Sequence, residues 1–142
     1  MKVTLHGTTT TIPESVFDGL EEIYHQLENI RIDCNMCGTC CDFADFDHQL
    51  WVTEIELLFL IRHHGLRRPT SPGICPYLEG DRCGARQGRT LGCRVFGCQS
   101  VQTEMEAVHE SYFAKIQALA KSSKIAIHYR EFLDALQNAK LT

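Results

Sequence analysis

Between Pro13 and Arg31 the apolar positions fall into a single stripe. Val16, Leu20, Ile23, Leu27 and Ile30 recur at steps of four and three, the spacing of one face of an α-helix. Pro13 suits the first turn, where its missing N–H costs nothing. Glu21, Glu22 and Glu28 fall mainly on the solvent side, so residues 13–31 are predicted as a scaffold helix. Thr53 and Glu56 form a capping-box pattern, continued by Ile55, Leu58, Phe59 and the stem of Arg62, and Gly65 can end that helix. A second box, Thr103 with Glu106, opens a longer helix with the stripe Met105, Val108, Tyr112, Ile116 and Leu119, which the run "KSSK" at 121–124 breaks. A last helix over about Ser123–Ala139 carries Ile127, Phe132, Leu133 and Leu136 on one side. Stripes of this kind are read as core.

Length and composition leave that outline intact. The chain has 142 residues, 44% apolar and 23% charged, which is ordinary for one globular domain and nothing like a disordered segment. A chain of this size hides about 68–70% of its unfolded surface, so a core is possible without staples. The start "MKVTLHGTTTTIPES" lacks the apolar centre of a secretory signal, and no run approaches the roughly 20 apolar residues of a membrane span. The expectation is a cytoplasmic protein that does not bind membranes.

The eight cysteines change the picture. In a reducing compartment a dense cysteine pattern reads as metal-binding or catalytic before it reads as a disulfide framework. Cys34, Cys37, Cys40 and Cys41 form C-x2-C-x2-C-C; Cys75, Cys83, Cys93 and Cys98 form C-x7-C-x9-C-x4-C. A two-residue gap lets two thiolates turn onto one soft ion, and Gly38 allows a close wrap. "CPYLEGDRC" has Glu79, Gly80 and Asp81 at its middle, a tight turn that would bring Cys75 and Cys83 near each other across a hairpin. Adjacent side chains diverge, so Cys40 and Cys41 are expected on different ions, or on different metals of one cluster drawing ligands from both groups. The predicted fold is accordingly mostly α: a single small domain over residues 1–142, with helices packed around an irregular, metal-stapled cysteine core at 34–98 and room for one short β-hairpin.

"CNMCGTCC" at 34–41, the helical "WVTEIELLFLIRHHG", "CPYL", Cys83, Arg89, "CRVF" at 93–96 and Cys98 together resemble the YkgJ-type cysteine-cluster proteins, described as a zinc- or iron-chelating domain with a CxxCxxCC signature. The resemblance covers about residues 34–98, and it departs where Thr90 stands in place of the family's proline after Arg89. It implies metal binding through Cys34, Cys37, Cys40, Cys41, Cys75, Cys83, Cys93 and Cys98, without fixing a reaction. A flagellin lysine methylase carries a similar cysteine domain, so a role as part of a protein-modifying enzyme such as a lysine N-methylase is implied as an alternative. No glycine-rich methyl-donor loop is recognisable in this chain.

Charge is unevenly spread. Residues 1–61 carry two cations against eleven acids, a net −9; residues 62–94 carry seven arginines against Glu79 and Asp81, a net +5; the remainder balances. Arg82, Arg86, Arg89 and Arg94 lie among the second cysteines, where they either offset thiolate charge or form a rim for an acidic protein partner. An acidic chain without a reader motif is not expected to bind nucleic acid. His48, near Asp42, Asp45 and Asp47, is the best additional ligand; His63 and His64 are expected to meet helix-terminal carbonyls. Tyr77 and Trp51 are expected in the core beside the metal. His6, His25, His109 and His128 lie on elements that read as structural. Two function classes follow: a zinc-stabilised binding or metal-handling module, and an iron–sulfur redox component.

Overall fold

A computed structural model describes residues 1–30, 49–80, 82–95 and 102–142. The chain opens with a hairpin of β1 (Lys2–Leu5) and β2 (Thr8–Thr11), paired antiparallel from Lys2↔Thr11 to Leu5↔Thr8. Val3 and Leu5 alternate inward, and His6 and Gly7 take the positive φ (48° and 83°) that a two-residue hairpin turn requires. The other edge of β1 holds β7 (Lys140–Leu141), so one small sheet joins the first and last elements in the order β2-β1-β7.

Helix α1 (Glu14–Leu27) starts at Pro13 and buries Val16, Phe17, Leu20, Ile23, Tyr24 and Leu27. Its partner is α4 (Gln102–Ser122), whose Tyr112, Ile116 and Ala120 are buried. The two helices come close at Gly19, where a Cβ would sit 2.8 Å from Leu119 Cδ1. Thr103 lies inside α4 instead of capping it, and α4 ends at Ser122, beyond which Lys124 turns at φ 57°.

Helix α2 (Glu54–His64) is the centre of the core: all eight residues from Glu54 to Ile61 are buried. The stripe Ile55, Leu58 and Phe59 covers one side, and Leu57, Leu60 and Ile61 supply the rest, as a helix enclosed by neighbours needs. Each such side chain contributes about 1.5–3 kcal/mol on burial. The capping box is complete: Thr53 Oγ1 accepts from the Glu56 N–H, and the Thr53 N–H donates to Glu56 Oε2 at 2.9 Å. Gly65, at φ 78°, ends the helix.

Two buried carboxylates tie α2 to distant segments. Glu54, 1% exposed, accepts from the His128 N–H (2.9 Å to Oε2), His128 Nδ1 (3.1 Å to Oε1) and Arg130 Nε (3.0 Å to Oε1). Glu56 reaches the other way, accepting the Leu91 N–H at the start of α3 (Leu91–Val95) on Oε1 at 2.9 Å. Burial raises the Glu56 carboxyl above the usual carboxylate range, partly offset by the hydrogen bonds from Thr53 and Leu91.

Beyond α4 the chain runs without helix or strand through 125–129 into β6 (Arg130–Glu131), which pairs antiparallel with β3 (Trp51–Val52), and then forms α5 (Phe132–Asn138). A single helix over 123–139 is therefore corrected to a strand and a shorter helix, because the His128 N–H is taken by the Glu54 carboxylate instead of a helical carbonyl and Arg130 pairs in β6. Trp51 is also corrected: it is 43% exposed. The remaining pair, β4 (Leu78–Glu79) with β5 (Arg82–Cys83), is the hairpin expected around Gly80, whose φ is 64°.

The cysteine-centred architecture is overturned. Among the described residues, helices pack around an apolar core drawn largely from α1, α2, α4 and α5, three small sheets stand where one hairpin was expected, and no group of three or more His, Cys, Asp or Glu side chains could hold a metal ion. The physical reason is that the described centre is filled by apolar side chains from the helical stripes, which bury surface without help from ligands.

Candidate functional site

Of the eight proposed ligands, Cys34, Cys37, Cys40, Cys41 and Cys98 lie outside the described residues, as does His48. Cys75 is buried and begins a turn in which the Leu78 N–H donates to its carbonyl at 3.1 Å. Cys83 is half-buried in β5 and pairs with Leu78, three residues after Cys75, so Cys75 lies outside the paired strands of the hairpin. Cys93 is half-buried in α3. These three are not assembled into one group.

The arginines of the basic segment divide into two sets. Arg62 pairs with Glu14 and covers the Phe17 ring at 5.1 Å; Arg67 pairs with Glu79 at 3.0 Å and covers Tyr77 at 5.4 Å. Arg68 donates to three carbonyls at the end of α5: Leu136 and Ala139 at 2.8 Å and Gln137 at 2.7 Å. Such a clamp satisfies acceptors that a helix C-terminus leaves open. The second set, Arg86, Arg89 and Arg94, lines a pocket of about 130 Å³ together with Tyr24, Leu27, Glu28 and Ile30 from the end of α1. Arg82 is exposed on the hairpin.

Main-chain carbonyls hold two of the pocket guanidiniums, those of Arg89 and Arg94, in place. Arg89 Nε donates to the Arg86 carbonyl at 3.0 Å; Arg94 Nε donates to the Arg89 carbonyl at 2.8 Å and its Nη2 to the Gln87 carbonyl at 2.6 Å. Arg94 also stacks over Tyr24, 3.9 Å from the ring centroid. Burial, and then the like charge of Arg89, lower the Arg94 guanidinium below its ordinary value. Tyr24 is pushed well above the usual phenol range, first by burial and then by the Glu56 carboxylate. Its hydroxyl is buried and, among the described residues, has no hydrogen-bond partner. Guanidiniums bind and orient anions without exchanging protons at neutral pH, so the chemistry of this pocket is recognition.

The end of α2 borders the same segment. His64 Nε2 accepts the Gly88 N–H at 3.0 Å, and His63 stacks on Phe59 with ring centroids 4.5 Å apart. Neither imidazole meets the helix-terminal carbonyls expected of it. A Cβ at Gly88 would lie 2.7 Å from His64 Cδ2 and 3.1 Å from the Leu60 Cα, so only glycine allows this approach. Tyr77 is buried as expected, its hydroxyl donating to the Gly65 carbonyl at 2.6 Å. His6 bonds Asp134 at 2.8 Å and His128 bonds Glu54, both structural contacts between distant segments.

Sequence reasoning placed Arg86, Arg89 and Arg94 on a cationic rim but missed the other wall of the pocket. Tyr24 and Glu28 were read as scaffold. A tyrosine in the apolar stripe two residues after Glu22 was the available signal. No family model, curated protein or solved structure matches the chain.

Proposed function

We propose that the chain is a cysteine-ligated metal-binding module, for zinc or iron, that works by binding or metal handling. The observation that supports this reading is the packing of the end of α1 against residues 86–94. Ile30, four residues before Cys34, and Arg94, next to Cys93 and four residues before Cys98, line the same pocket, so the chain enters the first cysteine group and passes through the end of the second from one face of the protein. Thiolates are soft donors suited to zinc and to iron–sulfur clusters, and the cysteine donor set fits either. The site would lie beside the apolar core. A reducing compartment such as the cytoplasm would keep its thiols available.

Purification without air, followed by metal analysis and thiol titration, tests the proposal. Metal should be present, with thiols that react only after chelation; eight freely reactive thiols and no metal would sink it. The same sample separates the two ligand classes, because an iron–sulfur component gives visible absorbance and a reversible one-electron signal, whereas zinc is spectroscopically silent.

A further inference from the structure

The geometry points to a pH-sensitive latch: the contact between His64, at the end of α2, and Gly88 holds down residues 84–90, the segment that joins Cys83 to Cys93, and protonating the imidazole releases it. The segment is fixed at both ends. The Gly84 N–H donates to the Tyr77 carbonyl at 2.8 Å, and the Leu91 N–H donates to Glu56 Oε1 at 2.9 Å. Between these anchors Gly88 is buried against α2, its N–H shared between the Ala85 carbonyl at 3.2 Å and His64 Nε2 at 3.0 Å.

Nε2 accepts only while it carries no proton, so the latch is closed by the neutral imidazole with its hydrogen on Nδ1. A proton on Nε2 would set two donors against each other at 3.0 Å. There is no slack on the helix side to absorb this, because a Cβ on Gly88 would already lie 2.7 Å from His64 Cδ2 and 3.1 Å from the Leu60 Cα. Either the segment lifts or the ring turns away, and both break the tie. Burial lowers the imidazole below its ordinary 6.5, and the charges of His63 and Arg67 act in the same direction. Glu79 of β4 opposes them but is paired with Arg67 at 3.0 Å; Tyr77 presents a ring 6.5 Å away, and Arg86 and Arg89 flank Gly88 on the segment itself. The latch is therefore closed at neutral pH and opens on acidification. Opening frees the backbone between two half-buried cysteines whether or not they hold metal, so this inference and the metal-binding reading fail separately.

Amide hydrogen exchange of the full chain, read residue by residue at about pH 7.5 and 5.5 and corrected for the intrinsic rate, tests the latch. Protection at Gly88 should fall on the order of tenfold at the lower pH, the equivalent of one hydrogen bond, while the amides within α2 keep theirs. His64→Gln and His64→Ala should each lose this pH dependence, the alanine variant with low Gly88 protection throughout, and His63→Gln should switch like the parent. Unchanged protection of Gly88 in the parent, an equal fall in His64→Gln, or a loss spread evenly over α2 would overturn the proposal.

Discussion

The guanidinium of Arg94 lies 3.9 Å from the centre of the Tyr24 ring, while the hydroxyl of the same tyrosine is buried without a partner among the described residues. The ring therefore contributes through packing and cation–π attraction, and the hydroxyl is a cost. Tyr24→Phe keeps the ring and removes the stranded group. It should raise stability by about 1 kcal/mol, read as a higher urea midpoint at unchanged slope. A drop of similar size would mean that the hydroxyl is satisfied in solution.

His64 makes stability depend on pH near neutrality. Burial, followed by the charges of His63 and Arg67, lowers its imidazole below 6.5, and Nε2 must stay unprotonated to accept the Gly88 N–H. The unfolded chain thus binds the proton more readily, so the contribution is complete above pH 6.5 and is lost as pH falls below it. His63 and His109 are also lowered by burial and act in the same direction; Glu56, raised by burial, acts in the opposite one, losing stability as pH rises past 4.5. His64→Gln offers an uncharged acceptor. Its urea midpoint should fall less than that of the parent between pH 7.5 and 5.5, and parallel curves would refute the assignment.

Thr53 serves both α2 and Glu56. Its hydroxyl accepts from the Glu56 N–H and donates to Glu56 Oε2 at 2.9 Å. Thr53→Ala should cost about 1–2 kcal/mol, and Thr53→Ser should restore most of it. Thermal melts of the three proteins decide the matter: an alanine variant indistinguishable from the parent would show the cap to be dispensable.

If the proposed metal is bound, its removal should spare the helices. Among the described residues the core is built mainly from apolar side chains of α1, α2, α4 and α5, with Cys75 the one buried cysteine beside them. Chelation is expected to leave the far-UV helical signal nearly unchanged while it alters the environment around Cys75, Cys83 and Cys93. Collapse of the helical signal on chelation would restore metal to a structural role.

How much was legible in the sequence depended on how local the determining interaction is. The Thr53–Glu56 box and Gly65 mark both ends of α2, and the Gly80 turn marks the β4–β5 hairpin, because each is decided within a few residues. The non-helical stretch before α5 was not legible, because its partner Glu54 lies 74 residues from His128. Val3 and Leu5 alternate over too few residues to reveal β1, and a run of threonines hides β2. Of the pocket, the arginines were visible through their charge, while Tyr24 and Glu28 became part of it only when α1 packed against residues 86–94.

The bridge from Glu54 to His128 and Arg130 also constrains the order of events on the ribosome. Helix α2 is synthesised with a carboxylate that the finished core encloses, yet its donors follow 74 and 76 residues later. Enclosing that charge early would cost several kcal/mol. A nascent chain should therefore keep the first turn of α2 open to water until residue 130 has left the exit tunnel. A chain arrested before that point exposes the apolar flank of α2 to chaperones and proteases.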